Sequence, residues 1–163
     1  MPRSSKPEAV RGASPAAQLS GFVAKYDPAV GRLFRAARSA IRRRFPTALE
    51  LVYDNYQFLA VGYSSTLRTS DCVVSLAVSP KGVALSFFHG ATLPDPSGVL
   101  LGSGNQNRFV RLASAATLAE PPVAALLDAA TRQAETPMPT TGRGRTIIKS
   151  ISAKQRPRRP AVR

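Results

Sequence analysis

Any covalent chemistry in this chain would have to start from single copies. Cys72 is its one thiol and His89 its one imidazole. Nucleophilic catalysis needs a nucleophile held beside a base. Cys72 sits among Val73, Val74 and Leu76 in a strand-like run, the setting of a buried, inert thiol. His89 follows Phe87-Phe88 and precedes Gly90. It either acts as a base in a pocket or satisfies a backbone group at a turn, and the turn reading is favoured. One Cys and one His exclude a disulfide framework and a zinc finger. There is no Gly-x-Ser-x-Gly elbow and no paired metal-binding histidine. No catalytic residue, metal or cofactor is therefore assigned, and the reading leans away from an enzyme.

Binding chemistry has more to work with. Tyr53, Asn55, Tyr56, Tyr63 and His89 place aromatic and polar groups near strand ends. Such a set can line a small-molecule pocket, or stack unpaired bases where Arg is near. The ordinary alternative for each Tyr is a buried ring with its hydroxyl bonded at the rim. Gly102-x-Gly104 precedes a strand, whereas a phosphate cradle opens a helix. A tight turn or bulge is the simpler role. Asn105, Asn107 and Arg108 beside it remain ligand candidates. The expected pocket is thus Tyr53, Asn55, Tyr56, His89, Asn105 and Arg108.

The third kind of chemistry is charge. The chain has 163 residues, with 23 Lys+Arg against 9 Asp+Glu, a formal net charge of +14. Residues 143–163 hold eight bases and no acid, while 12–142 carry 12 bases against 8 acids. Much of the imbalance therefore lies at the C-terminal end. Arg35, Arg38 and Arg42 fall on one stripe of a helix, and Lys154, Arg156, Arg158 and Arg159 form a basic run interrupted by Pro157 and Pro160. Together they could track phosphates without reading sequence. The alternatives are a solvated helix face, with Arg42, Arg43 and Arg44 complementing the helix dipole, and a tail that only solubilises.

These groups need elements to position them. Hydrophobic residues make up 44% of the chain, enough for a core. No apolar run approaches the length of a membrane span. Residues 1–18 read as a basic, Pro- and Ser-containing tail, better described so than as a transit peptide, and lacking the apolar centre of a secretory signal. Leu19, Phe22, Val23 and Tyr26 give one helical face. Asp27-Pro28 caps and opens a second helix, whose face is Val30, Leu33, Phe34, Ala37, Ile41 and Phe45, ended by Pro46. From Leu49 the period becomes two. Strands are predicted at 49–54, 58–63, 72–79, 83–88 and 108–112, the third and fourth joined through Ser79-Pro80-Lys81-Gly82. Val74, Leu76, Val78, Val83, Leu85 and Phe87 should share the buried face. Pro121 opens a last helix, and 146–152 is a candidate edge strand. The fold class is α+β: N-terminal helices, a largely antiparallel central sheet of about five strands, and a C-terminal helix. The expected organisation is a tail over 1–18, a domain over 19–136, a linker with the edge strand over 137–153, and a disordered basic tail over 154–163.

One further feature is the order of segments. After the helix come Pro46 and Glu50-Leu51-Val52-Tyr53-Asp54, then Phe88-His89-Gly90, Leu93-Pro94-Asp95-Pro96, Leu100-Leu101-Gly102-Ser103-Gly104 and Arg108-Phe109-Val110-Arg111. Over about Phe22 to Ala134 this resembles the YdhG-like family of bacterial domains, which includes frataxin-like iron-chaperone candidates. The resemblance implies a compact α+β cytoplasmic domain and, through those candidates, iron carriage. Iron delivery wants clustered carboxylates. Glu50 and Asp54 share one side of a strand, and Asp71 and Asp95 are candidates to join them. A basic surface repels cations. The leading expectation is a cytoplasmic binding domain making weak, salt-sensitive contacts with nucleic acid or another polyanion. The alternative is a small-ligand or iron carrier using the Tyr53/His89 region.

Overall fold

The computed structural model of the chain describes residues 12–160. Residues 1–11 of the tail predicted over 1–18, and the last residues, 161–163, lie outside them; the described part of that tail departs from the expectation, since Pro15 to Gln18 belong to a helix. Among the described residues, three α-helices and a six-stranded sheet make an α+β fold. Helix α1 (Pro15–Val23) starts earlier than the apolar periodicity implies. Ser14 is its N-cap, accepting the Ala17 N–H at 3.1 Å, and Pro15 takes the first turn, where no N–H is needed. Helix α2 (Pro28–Arg44) opens at Pro28 and stops before Pro46, as expected from the two prolines. Its Phe34, Ala37 and Ile41 are buried. Helix α3 (Pro121–Gln133) buries Val123, Leu126 and Leu127.

The strands are β1 (Leu49–Asp54), β2 (Leu59–Ser64), β3 (Cys72–Ser79), β4 (Gly82–Phe87), β5 (Arg108–Arg111) and β6 (Thr146–Ile151). Their order across the sheet is β5-β4-β3-β2-β1-β6. The first five pair antiparallel, and β6 adds parallel to β1 at the edge. The β3–β4 hairpin closes with Ser79 opposite Gly82, whose φ of 136° suits glycine. Leu76 faces Leu85 and Val78 faces Val83, so the register buries the predicted set. These side chains meet α1, α2 and α3 in one hydrophobic core.

The C-terminal segment departs from the expected solvated tail. The Arg156 N–H donates to the Tyr56 carbonyl at 2.8 Å. Arg158 is buried, with its Nη2 3.0 Å from the Asp54 carboxylate and 2.5 Å from the Asn55 carbonyl. Arg159 donates to the Lys25 and Ala24 carbonyls at the end of α1. Proline spacing does preclude a helix there, but it does not keep the chain in solvent. A buried carboxylate on β1 supplies the attraction that composition alone does not reveal.

Candidate functional site

The register of the sheet defines a hollow on the face away from the helices. Strands β2, β3 and β4 alternate large residues with small ones. Leu59, Val61, Tyr63, Leu76, Val78, Val83 and Leu85 point into the core. The positions between them form two cross-strand rows. Tyr53, Ala60, Ala77, Ala84 and Arg111 are register partners in sequence across β1 to β5. Gly62, Ser75, Ser86 and Phe109 form the second row. Directly opposed residues share a face, so six small residues make a floor at the centre of the sheet.

Aromatic residues wall that floor. The resulting cleft measures about 550 Å³, with Tyr53, Phe58, Phe88 and Phe109 around its edge. Asn55 and Asn107 contribute amides, and Thr69, Ser75 and Ser86 contribute hydroxyls. Among the described residues, no α-helix and no charged residue lines it. The polar groups are oriented: Ser86 Oγ donates to Asn107 Oδ1 at 2.6 Å, and the Tyr53 and Thr69 hydroxyls bond to each other. Cys72 forms part of the wall. Burial pushes its thiol up to about 11, the Asp71 charge adds to this and a hydrogen bond with Ser64 opposes it. The protonated thiol is inert as a nucleophile at neutral pH. Its Sγ rests against Gly62, where an added Cβ would stand 2.6 Å away.

The predicted pocket residues divide. Tyr53 and Asn55 line the cleft, together with Asn107 from the glycine loop. His89 does not. Its Nε2 lies 3.2 Å from the Ser70 carbonyl, in a separate hollow with Asp71, Gln133 and Glu135. Tyr56 is exposed outside the cleft, where its carbonyl holds Arg156. Asn105 is exposed on the loop. Arg108 bonds back to that loop, donating to the Gly104 and Asn107 carbonyls at 2.6 and 2.8 Å. The loop turns at Gly102, φ 107°, and Leu101 bridges to Phe109, so the glycine serves a turn as the sequence indicates. Strand alternation reaches only what lies on the strands. Which loop residues turn toward the cleft depends on how the 88–107 connection folds back.

The cleft has a signature in the strand sequences themselves, carried by small residues rather than by reactive side chains. A water-facing sheet alternates apolar with charged residues. Here the alternate positions are Ala60, Gly62, Ser75, Ala77, Ala84 and Ser86.

The basic candidates are also redistributed. Arg38 forms a two-pronged pair with Glu50, Nε and Nη2 each 2.9 Å from its oxygens, and Arg42 stands 3.9 Å from the same carboxylate. Glu50 also accepts from Tyr63 at 2.9 Å and Thr146 at 2.7 Å. Burial pushes the Glu50 carboxyl up, but the Arg38 and Thr146 hydrogen bonds, the Arg38 charge and the Tyr63 hydroxyl outweigh it and hold the group below its usual range. Asp54 is likewise enclosed by Lys25 at 2.8 Å, Gln155 at 2.8 Å and Arg158 at 3.0 Å. Arg38 and Arg158 are therefore committed to internal carboxylates, contrary to a free phosphate-tracking role. Arg35, Lys154 and Arg156 stay exposed.

The four carboxylates do not assemble. Glu50 and Asp54 are each held by their own cations, Asp71 accepts from Thr66, and Asp95 caps a loop through the Val99 and Leu100 N–H groups at 3.0 Å. Among the described residues no group of three His, Cys, Asp or Glu side chains is placed to hold a metal ion. No helix among them is long and apolar enough to cross a membrane. No family model matches the chain, and no curated protein and no solved structure matches it either.

Proposed function

We propose that this chain is a non-enzymatic binding domain that seats a flat, uncharged ring system on the small-residue floor of its sheet. The observation that carries the reading is the double row of Ala60, Ala77, Ala84 and Gly62, Ser75, Ser86, walled by aromatic side chains. Small side chains leave room above the backbone, and aromatic walls favour offset or edge contact with a ring. Mostly apolar lining with a few oriented polar groups is what a small-molecule site needs. Asn55 and Asn107 offer both donors and acceptors to the edge of a heteroaromatic ring. The described lining residues are all uncharged, which argues against a charged group inside the cleft.

The YdhG-like resemblance stands beside this reading as part of the proposal, and its implied cytoplasmic binding domain agrees with it. Iron carriage has less behind it, since the described carboxylates are dispersed and Glu50 and Asp54 are paired with cations. Polyanion contact narrows to the cations that remain exposed.

The test is a titration of the full chain with three uncharged planar probes, indole, quinoline and adenosine, followed by amide NMR shifts. At least one probe should shift Ala60, Ser75, Ala77 and Ser86 saturably. Ala77→Leu, which fills the floor without touching the core, should suppress the shifts. No response to any of the three, or undiminished binding by a folded Ala77→Leu variant, would sink the reading.

A further inference from the structure

The alanine row does not end in another small residue. It ends in Arg111, the register partner of Ala84. Beyond the cleft lies a second hollow of about 840 Å³, and Phe58, Ala77 and Ala84 line both. Its charged lining residues are Lys81, Arg111 and Arg156, with no acid among them. They come from three separate parts of the chain: the β3–β4 turn, the end of β5 and the docked C-terminal segment. All three are exposed, and none pairs with a carboxylate among the described residues. This is unlike Lys25, Arg38, Arg44 and Arg158, each of which meets an acid. The Arg111 guanidinium lies over the Phe109 ring at 5.5 Å, so one aromatic wall of the cleft also supports the cation.

A cleft with uncharged lining is therefore continuous with a hollow whose charged lining residues are all cations. From Tyr53 to Arg111 is four strand spacings, about 19 Å along the floor before the side chains lean inward. That span accommodates a ring, a linker and an anion in one ligand. We infer that the site takes a nucleotide unit, with its base on the Ala/Ser floor and its phosphate against Lys81, Arg111 and Arg156. The inference rests on the ring-binding reading above. Amide side chains at the cleft suit base edges, and cations suit phosphate. The unit is supplied either free or as part of a single strand. A duplex hides its base faces and does not fit.

The full chain is titrated with adenosine, adenosine 5′-monophosphate, a fluorescein-labelled six-nucleotide oligo(dA) and the corresponding labelled duplex, at low and physiological salt. The monophosphate should bind at least about ten-fold tighter than adenosine at low salt, as expected for two or more charge-assisted contacts. The triple variant Lys81→Ala/Arg111→Ala/Arg156→Ala should lose that advantage and keep adenosine binding. These exposed positions lie outside the core, and amide NMR of the wild type, showing Lys81 and Arg111 shifted by the monophosphate but not by adenosine, provides the same reading without a variant. A mononucleotide source predicts that oligo(dA) adds nothing beyond the monophosphate. A strand source predicts tighter oligo(dA) binding, with a salt slope of about −0.7 per phosphate contact that the triple variant reduces. Equal affinity for adenosine and its monophosphate overturns the inference and leaves the ring-binding reading standing. Binding of indole or quinoline without any nucleoside or nucleotide does the same. Equal binding of duplex and single strand, undisturbed by Ala77→Leu, overturns it in favour of general charge attraction. Silence from all probes overturns both.

Discussion

Glu50 shows how a buried acid contributes to the response of this protein to pH. Its folded pKa is depressed, because the bonds from Arg38, Thr146 and Tyr63 outweigh burial. A depressed carboxyl leaves the unfolded chain binding more protons than the folded one below about pH 5. Glu50 therefore contributes its full stability above its ordinary value near 4.5, and that contribution fades as pH falls toward the folded value. Glu50→Gln should flatten the dependence of the urea midpoint on pH between about 5 and 3, relative to wild type. At pH 7, Arg38→Ala should cost about 3 kcal/mol in urea unfolding, since it strips the main partner from a buried charge. Cys72 gives a second residue-level test. With its thiol pushed up to about 11, about one thousandth is ionised at pH 8. Reaction with a disulfide reagent at pH 8 should be at least about 100-fold slower than in urea. A fast native reaction would contradict the packing of Cys72 against Gly62.

At the scale of elements, the sheet depends on close approaches that a methyl group would disturb. A Cβ at Gly62 would stand 2.6 Å from Cys72 Sγ across the β2–β3 pair. Gly62→Ala should destabilise by about 1–3 kcal/mol through overpacking. Cys72→Ala should recover much of that loss in the double variant, and a thermodynamic cycle from urea titrations reads the coupling. The C-terminal segment is the other element whose placement has a specific cause. It is anchored by Arg158 on Asp54, with the guanidinium 5.7 Å from the Tyr26 ring centroid. Arg158 Nε is buried with no partner, so the anchor is incompletely satisfied. Arg158→Ala should cost about 2 kcal/mol, less than a fully orphaned charge, because Lys25 and Gln155 still hold Asp54. Hydrogen exchange at the Arg156 amide, protected by the Tyr56 carbonyl, should then accelerate sharply. Unchanged protection would show that the segment docks by other means.

For the whole molecule, the formal net charge of +14 is not a uniform field. Some of its cations are paired with buried acids: Glu50 and Asp54, both on β1 and both buried, hold Arg38, Lys25 and Arg158. What remains outside includes the three cations at the end of the alanine row. The same division explains how much could be read in advance. Period-two and period-3.6 patterns, with Pro28, Pro46 and Pro121 as punctuation, are local properties, and they yield the helices, the strands and the buried face of the β3–β4 hairpin directly from residue order. The small residues on the alternate positions of β2, β3 and β4 are just as local, and with them the floor of the cleft. The fate of each charge is not local. Whether Arg38 or Arg158 faces phosphate or a buried carboxylate depends on partners 12 and 104 residues away in the chain. His89 parts from Tyr53, and Asn107 joins it, because a long connection folds back over the strand ends. Residue order determined the elements and the faces they bury. Only the tertiary structure decided which charges are neutralised, because ion pairing is a matter of distance in space, and the chain brings those groups together only when the sheet has closed around them.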